Sequence, residues 1–397
     1  MSSAQEDPIV ILGAARTPMG GLQGDFVGLA AHDLGGVAIK AAVERAGISP
    51  ELVGEVLFGN CLMAGQGQAP ARQAAFKGGL PKSAGAVTLS KMCGSGMKAA
   101  MLAHDMLLAG THEVMVAGGM ESMTNAPHLL LKGRSGIRIG HDRVMDHMML
   151  DGLEDAYEAG RSMGTFGEDC AAKYGFTREE QDKFAVASVS RAQAATESGA
   201  FKAEIAPVTV RTRAGEQAIA VDEGPGKIKL DKIPTLKPAF KKDGTITAAS
   251  SSSINDGAAA LVLARASTAQ RLGAKPIARI VAHTTHAQEP NWFATAPVGA
   301  TQKLLAKTGW SVADVDLWEI NEAFAVVPMA LMTELGLSHD IVNVNGGACA
   351  LGHPIGASGA RIMVTLIHAL QARGKKRGVA TLCIGGGEAT ALALELL

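Results

Sequence analysis

Two cysteines and a histidine sit in glycine-rich turns far apart along the chain. Cys93 lies in Lys91-Met92-Cys93-Gly94-Ser95-Gly96-Met97 and Cys383 in Leu382-Cys383-Ile384-Gly385-Gly386-Gly387. His353 lies in Leu351-Gly352-His353-Pro354-Ile355-Gly356-Ala357-Ser358-Gly359. Together they offer a nucleophile, a base and a second acid/base, the set that covalent acyl transfer needs. Cys93 precedes a helix-forming stretch. A thiol at a helix N-terminus faces unpaired N–H groups and the positive dipole end, which predicts a lowered pKa and donors for an oxyanion. His353 is presented by the rigid turn around Pro354, placed to take the Cys93 proton or polarise a carbonyl. Cys383 ends an apolar run, where its thiolate would take a proton α to a thioester carbonyl. Asn321, in Asn321-Glu322-Ala323-Phe324, either caps a helix or orients a water against an oxyanion. Each residue alone also has a plain structural reading, since free cysteine is among the most buried residue types.

The elements that must position these side chains follow from patterning. Residues 9–13 and 113–119 read as buried strands, 56–59 as a short strand, and 32–45 and 97–108 as helices. The last third repeats this alternation: strands at 315–320, 342–344 and 378–384, helices at 322–335 and 358–372. Gly94-Ser95-Gly96 and Ala357-Ser358-Gly359 each open a helix whose following strand ends in a glycine pair, which predicts an internal duplication of two α/β halves. Residues 125–245 differ in character and read as an inserted excursion, with a polar helix over 178–195. The predicted organisation is 1–124 with 246–275 as one core half, 125–245 as a loop domain, and 276–397 as the other half.

Of the 397 residues, 47% are hydrophobic and 19% charged, so the chain can bury a large core. Lys plus Arg (37) nearly balances Asp plus Glu (38), which argues against nucleic acid or an anionic membrane as partner. The five cysteines are widely spaced and form no Cys-x-x-Cys, so neither a disulfide framework nor a metal site is expected. The polar, acidic start from Met1 to Pro8 and free thiols point to the cytoplasm.

The four motifs around Cys93, Asn321, His353 and Cys383 together resemble those of the thiolase family, and the resemblance runs from Ile9 to the last strand. It implies a duplicated five-layered α-β-α-β-α core with a loop domain, and ping-pong acyl transfer between coenzyme A thioesters. Cys93 would be acylated with His353 as base, and Cys383 would move the α-proton. One oxyanion hole would comprise His353 and a water on Asn321, the other the N–H groups of Cys93 and Gly385. Coenzyme A, a substrate rather than a tightly bound cofactor, would meet Met163, Phe240, Ala248, Ser252, Ala323 and Phe324, with Lys227, Lys229, Lys232 and Lys237 near its phosphates. A homo-oligomer, dimer or tetramer, is implied, with residues 120–145 resembling the segment that includes the tetramerisation loop. The chain departs from acetyl-specific members at Ser162, where they carry histidine, at Glu388, where many carry methionine, and at Cys349, usually aliphatic. Chain length thus stays open between an acetyl-CoA C-acetyltransferase and a broader 3-ketoacyl-CoA thiolase; a non-catalytic acyl-CoA-binding relative is the remote third reading.

Overall fold

In this computed structural model, residues 7–213 and 215–397 are described, and the part of the acidic start at residues 1–6 lies outside them. Nine strands stand in line: β1 (Ile9–Arg16), β2 (Glu55–Gly59), β3 (Gly85–Leu89), β4 (Val114–Ser122), β5 (Asn255–Arg265), β6 (Ala278–Ala287), β7 (Leu317–Ile320), β8 (Arg377–Ile384) and β9 (Glu388–Leu396). Their order is β3-β2-β4-β5-β1-β6-β9-β8-β7. In the first half, β2 pairs in parallel with β3 and β4, and β4-β5-β1 follow antiparallel. In the second, β7 pairs in parallel with β8, and β8-β9-β6 follow antiparallel. Even the irregularity repeats: register shifts between Ile11 and Gly13 in β1, and between Ile280 and Ala282 in β6. The halves join where Val10 and Ile11 pair with Arg279 and Ala278.

The α-helices of eight residues or more among the described residues are α1 (Ala31–Ala46), α2 (Pro70–Lys77), α3 (Ser95–Ala109), α4 (Met163–Tyr174), α5 (Arg178–Ser198), α6 (Ala296–Thr308), α7 (Val326–Leu335) and α8 (Ile355–Ala372). α3 and α8 pack on each other and on strands of both halves. α1 and α2 cover the outer face of the first half and α6 that of the second, with α7 against α6. The layers are therefore α-β-α-β-α. The central core draws Ile11, Leu57, Met101 and Leu261 from one half and Leu317, Leu366, Leu382 and Leu392 from the other. α8 is enclosed on nearly all sides and buries Ser358, Arg361 and Thr365 along with its apolar residues. Glycine sets how closely α3 and α8 cross. A Cβ on Gly359 would stand 2.5 Å from the Met97 nitrogen, and one on Gly96 2.8 Å from that of Ala360.

Three expected elements differ. The strand at 342–344 shrinks to a single parallel bridge between Trp318 and Val342. Asn343 turns away at φ 47°, and its side-chain amide takes over the ladder, accepting from Ile320 N–H and donating to Ile320 C=O, both at 2.8 Å. The helix expected from Glu322 begins at Val326, because residues 323–325 pair instead with the loop at 250–252. The helix expected at Ser358 begins three residues earlier, directly after Pro354. Within 125–245, α5 starts on a capping box of Thr177 and Glu180. No helix among the described residues is long and apolar enough to cross a membrane.

Candidate active site

Cys93 is held by a tight turn before α3. Gly94 and Ser95 N–H groups donate to the carbonyls of Lys91 and Met92, both at 3.0 Å. Ser95 Oγ closes the turn, accepting from Lys91 N–H at 2.8 Å and donating to Met92 C=O at 2.6 Å. Met92 sits at φ 45°, a left-handed conformation that a non-glycine residue rarely adopts and that over-determined functional turns retain. Gly94 has no side chain because a Cβ there would collide with Ile384, and so the Cys383 turn comes down onto the Cys93 turn. Lys91 Nζ reaches across to both carboxylate oxygens of Glu388 at 2.6 Å, tying the two turns together.

The N–H groups of Gly385 and of Cys93 itself bond toward the Cys93 sulfur and favour its thiolate. Burial nevertheless outweighs them and pushes the thiol up to about 11, so the lowered value expected from a helix N-terminus does not hold in the free protein. Cys383 is wholly buried at the end of β8, its thiol pushed well up by desolvation and then by the nearby Cys93 sulfur.

His353 Nδ1 lies 2.5 Å from Ser358 Oγ, and that hydroxyl donates to Pro354 C=O at 3.0 Å. With its one proton on the carbonyl, Ser358 accepts from Nδ1–H, which leaves a lone pair on Nε2. Nε2 has no hydrogen-bond partner among the described residues. Burial, then the charge of Arg361, pushes the imidazole down to about 3, so the ring is neutral. Two residues on, Ile355 shares a cluster with Met92, Cys93 and Cys61. Asn321 is fully buried, its N–H on Thr381 C=O at 3.0 Å. Neither atom of its amide has a partner among the described residues. A buried amide left unpaired by protein is costly unless a ligand or water uses it.

Met163, Phe240, Ala323 and Phe324 gather with Cys383 in one apolar cluster, in which Phe240 and Phe324 meet edge to face at 5.6 Å. Ser252 N–H donates to Ala323 C=O at 3.0 Å. Ala248 lines a neighbouring cavity of about 560 Å³, together with Lys227, Lys229, Lys232, Ile254 and Cys349. Lys237 is not on its wall, and Lys227 is engaged by Glu223. Cys349 is buried with its N–H on Glu322, and burial pushes its thiol well up.

With this geometry the chain matches the family models "Thiolase, N-terminal domain" over residues 9–267 and "Thiolase, C-terminal domain" over 274–396. The chain belongs to the thiolase family. It is 49% identical to an acetyl-CoA acetyltransferase of Chromobacterium violaceum, over 98% of this chain and 99% of that protein. It is 50% identical to acetyl-CoA acetyltransferase 2 of Arabidopsis thaliana, over 98% of this chain and 97% of that one. Among solved structures it is similar to the Acat5 thiolase of Ascaris suum in complex with coenzyme A, with TM-score 0.93 and 42% identity, covering 98% of this chain and 100% of that one.

Two further residues of this thiolase shape the site. In the sequence Glu121 stands out only as part of the 120–145 segment. Its buried carboxylate accepts from Cys61 N–H (2.9 Å), Leu62 N–H (3.1 Å), Asn60 Nδ2 (2.5 Å) and Gly356 N–H (2.9 Å), binding the loop after β2 to the start of α8 beside His353. Desolvation carries it up to about 7 against those donors. Ser358 stands out in the sequence only as a member of the His353 motif. A charged residue inside the apolar run 114–123 was the available signal for the first; the second had none, because its partner is chosen by the helix starting at Ile355.

Proposed function

We propose that this chain is an acetyl-CoA C-acetyltransferase, condensing two acetyl-CoA to acetoacetyl-CoA and, in reverse, cleaving short 3-ketoacyl-CoA esters with CoA. The observation that carries the reading is the meeting of Cys93 with the Gly385 N–H and with Cys383. In the first half-reaction, Cys93 sulfur attacks the thioester carbon while its proton passes to His353 Nε2. The carbonyl oxygen takes up charge against the N–H groups of Cys93 and Gly385. The carbon–sulfur bond to CoA then breaks, and the departing thiolate takes the proton of the Cys383 thiol, which leaves Cys383 as thiolate and the Cys93 proton on His353 Nε2.

In the second half-reaction, Cys383 as thiolate removes the α-proton of acetyl-CoA. The enolate oxygen is held by His353 and by a water on the Asn321 amide. The α-carbon attacks the acyl carbon on Cys93, a carbon–carbon bond forms, and the bond to Cys93 sulfur breaks. His353 donates here because it still carries the Cys93 proton on Nε2, and it returns that proton to the Cys93 thiolate as the carbon–sulfur bond breaks. Ser358 Oγ accepts from Nδ1–H throughout and holds the ring in place.

Met163, Phe240, Ala323 and Phe324 would line the pantetheine path and Ala248 and Ser252 its outer wall, with Lys229 and Lys232 available to phosphates. CoA enters as substrate, and no tightly bound cofactor is invoked. We place the protein in the cytoplasm as a homo-oligomer, a reading supported by five free cysteines and by the exposed Leu131, Ile139 and Val144 of the 128–146 segment.

The test is CoA-dependent thiolysis of 3-ketoacyl-CoA esters from four carbons upward, followed by loss of enolate absorbance. Activity concentrated on acetoacetyl-CoA is expected. Comparable rates at six carbons and beyond would instead make it a broad-range degradative thiolase, with Ser162 widening the acyl pocket. Cys93→Ala should form no acyl-enzyme; one that still forms removes Cys93 as nucleophile.

A further inference from the structure

Away from the acyl-transfer site, two histidines and an aspartate converge. His104 and Asp105 are consecutive on α3, and His283 stands on β6, across the seam between the halves. His104 Nδ1 is 3.0 Å from Asp105 Oδ1, His283 Nε2 is 2.9 Å from the same oxygen, and the two ring nitrogens are 3.3 Å apart. Hydrogen bonding alone satisfies this triangle poorly. If both rings donate to the carboxylate, two N–H groups crowd each other; if one does not, its lone pair competes for a single proton. A cation at the centre satisfies all three atoms at once. Metal–ligand bonds of about 2.0–2.1 Å put neighbouring donors roughly 2.8–3.0 Å apart in octahedral and roughly 3.3–3.4 Å apart in tetrahedral geometry, a span that covers the triangle seen.

Both rings are mostly buried and Asp105 is half-exposed, so the carboxylate faces the approach. A cavity of about 380 Å³ opens beside the three, walled also by Leu108, Arg279 and Thr308. We propose that His104, Asp105 and His283 bind one divalent transition-metal ion, with water in its remaining positions. Two imidazoles favour zinc, cobalt or nickel over magnesium or calcium. Lys307 Nζ, on the His283 carbonyl at 3.2 Å, adds positive charge that opposes any cation, so the two imidazoles and the carboxylate must carry the binding. His104 lies nine residues along α3 from Ser95, about 14 Å, so the ion would stand outside the reaction site. Its effect would be to clamp α3 of one half to β6 of the other.

Equilibrium dialysis of the full-length, chelator-stripped protein against cobalt(II) tests this. The expected result is one cobalt per chain with visible d–d bands and a thermal midpoint that rises with cobalt. In His283→Gln and in the more exposed Asp105→Asn, affinity should fall about tenfold or more, with thiolysis rates unchanged. Absence of bound cobalt overturns the proposal. So does cobalt that shows sulfur-to-metal charge transfer and is indifferent to both substitutions, since that ion would sit on cysteine thiols.

Discussion

At Cys93 and His353 the two proton affinities set how the nucleophile works. With the thiol near 11 and the imidazole near 3, the resting pair is neutral rather than thiolate and imidazolium. The proton therefore moves as the sulfur attacks, when developing oxyanion charge is met by the waiting N–H groups. Alkylation of the free enzyme by iodoacetamide should climb about tenfold per pH unit through the neutral range and on toward pH 10. A plateau below pH 8 would show a stable ion pair and refute this. Ser358→Ala removes the hydroxyl at His353 Nδ1 and should lower kcat by about 10²-fold, with KM little changed and Ser358→Thr restoring much of the loss. An equal loss in both variants would mean that Ser358 merely packs. The reactive residues were legible because each needs a tell-tale neighbour: glycines after Cys93 and Cys383, proline after His353. What the neighbours could not reveal was desolvation, which comes from segments distant in sequence and reversed the expected sign at Cys93.

Between the two central helices, glycine holds the motifs at working distance. Cys93 leads into α3 and His353 into α8, so the separation of their sulfur and imidazole depends on the crossing at Gly96 and Gly359. In Gly359→Ala the new methyl meets Met97 backbone rather than a yielding side chain. The helices must part, at a cost of about 1–3 kcal/mol, and kcat should fall more than that loss of stability alone explains. Urea denaturation beside steady-state kinetics measures both, and a variant with wild-type values would show that the crossing has slack. The duplication was readable from these same small residues, since close helix crossings demand them in both halves. The missing fifth strand of the second half was not. Asn343 replaces backbone with side-chain hydrogen bonds there, and no period-two pattern records that exchange.

Over the whole molecule, buried titratable groups fix where the fold is most stable. Six histidines, His32, His104, His283, His339, His353 and His368, are held below their ordinary value by burial. As pH falls below about 6.5 the unfolded chain protonates its histidines while the native one resists, down to about 4 at His339 and about 3 at His353. Each such group removes about 1.4 kcal/mol of stability per pH unit while it stays neutral in the fold alone. Glu121 and Glu319 act in the opposite sense. Desolvation raises them to about 7 and about 8, so the native state holds two protons that the unfolded chain has released above about pH 4.5. Their contribution is lost as pH rises through 7 and 8. On the acid side the histidines outnumber the two carboxyls, and on the neutral side the carboxyls act alone. Stability should therefore peak near pH 6.5 and decline in both directions. Denaturant midpoints from pH 5 to 8.5, taken with chelator present to keep metal off the His104 and His283 rings, should trace that dome. A profile rising steadily to pH 8.5 would mean that Glu121 and Glu319 are ionised in the fold, and with them the electrostatic surroundings assigned to Cys93.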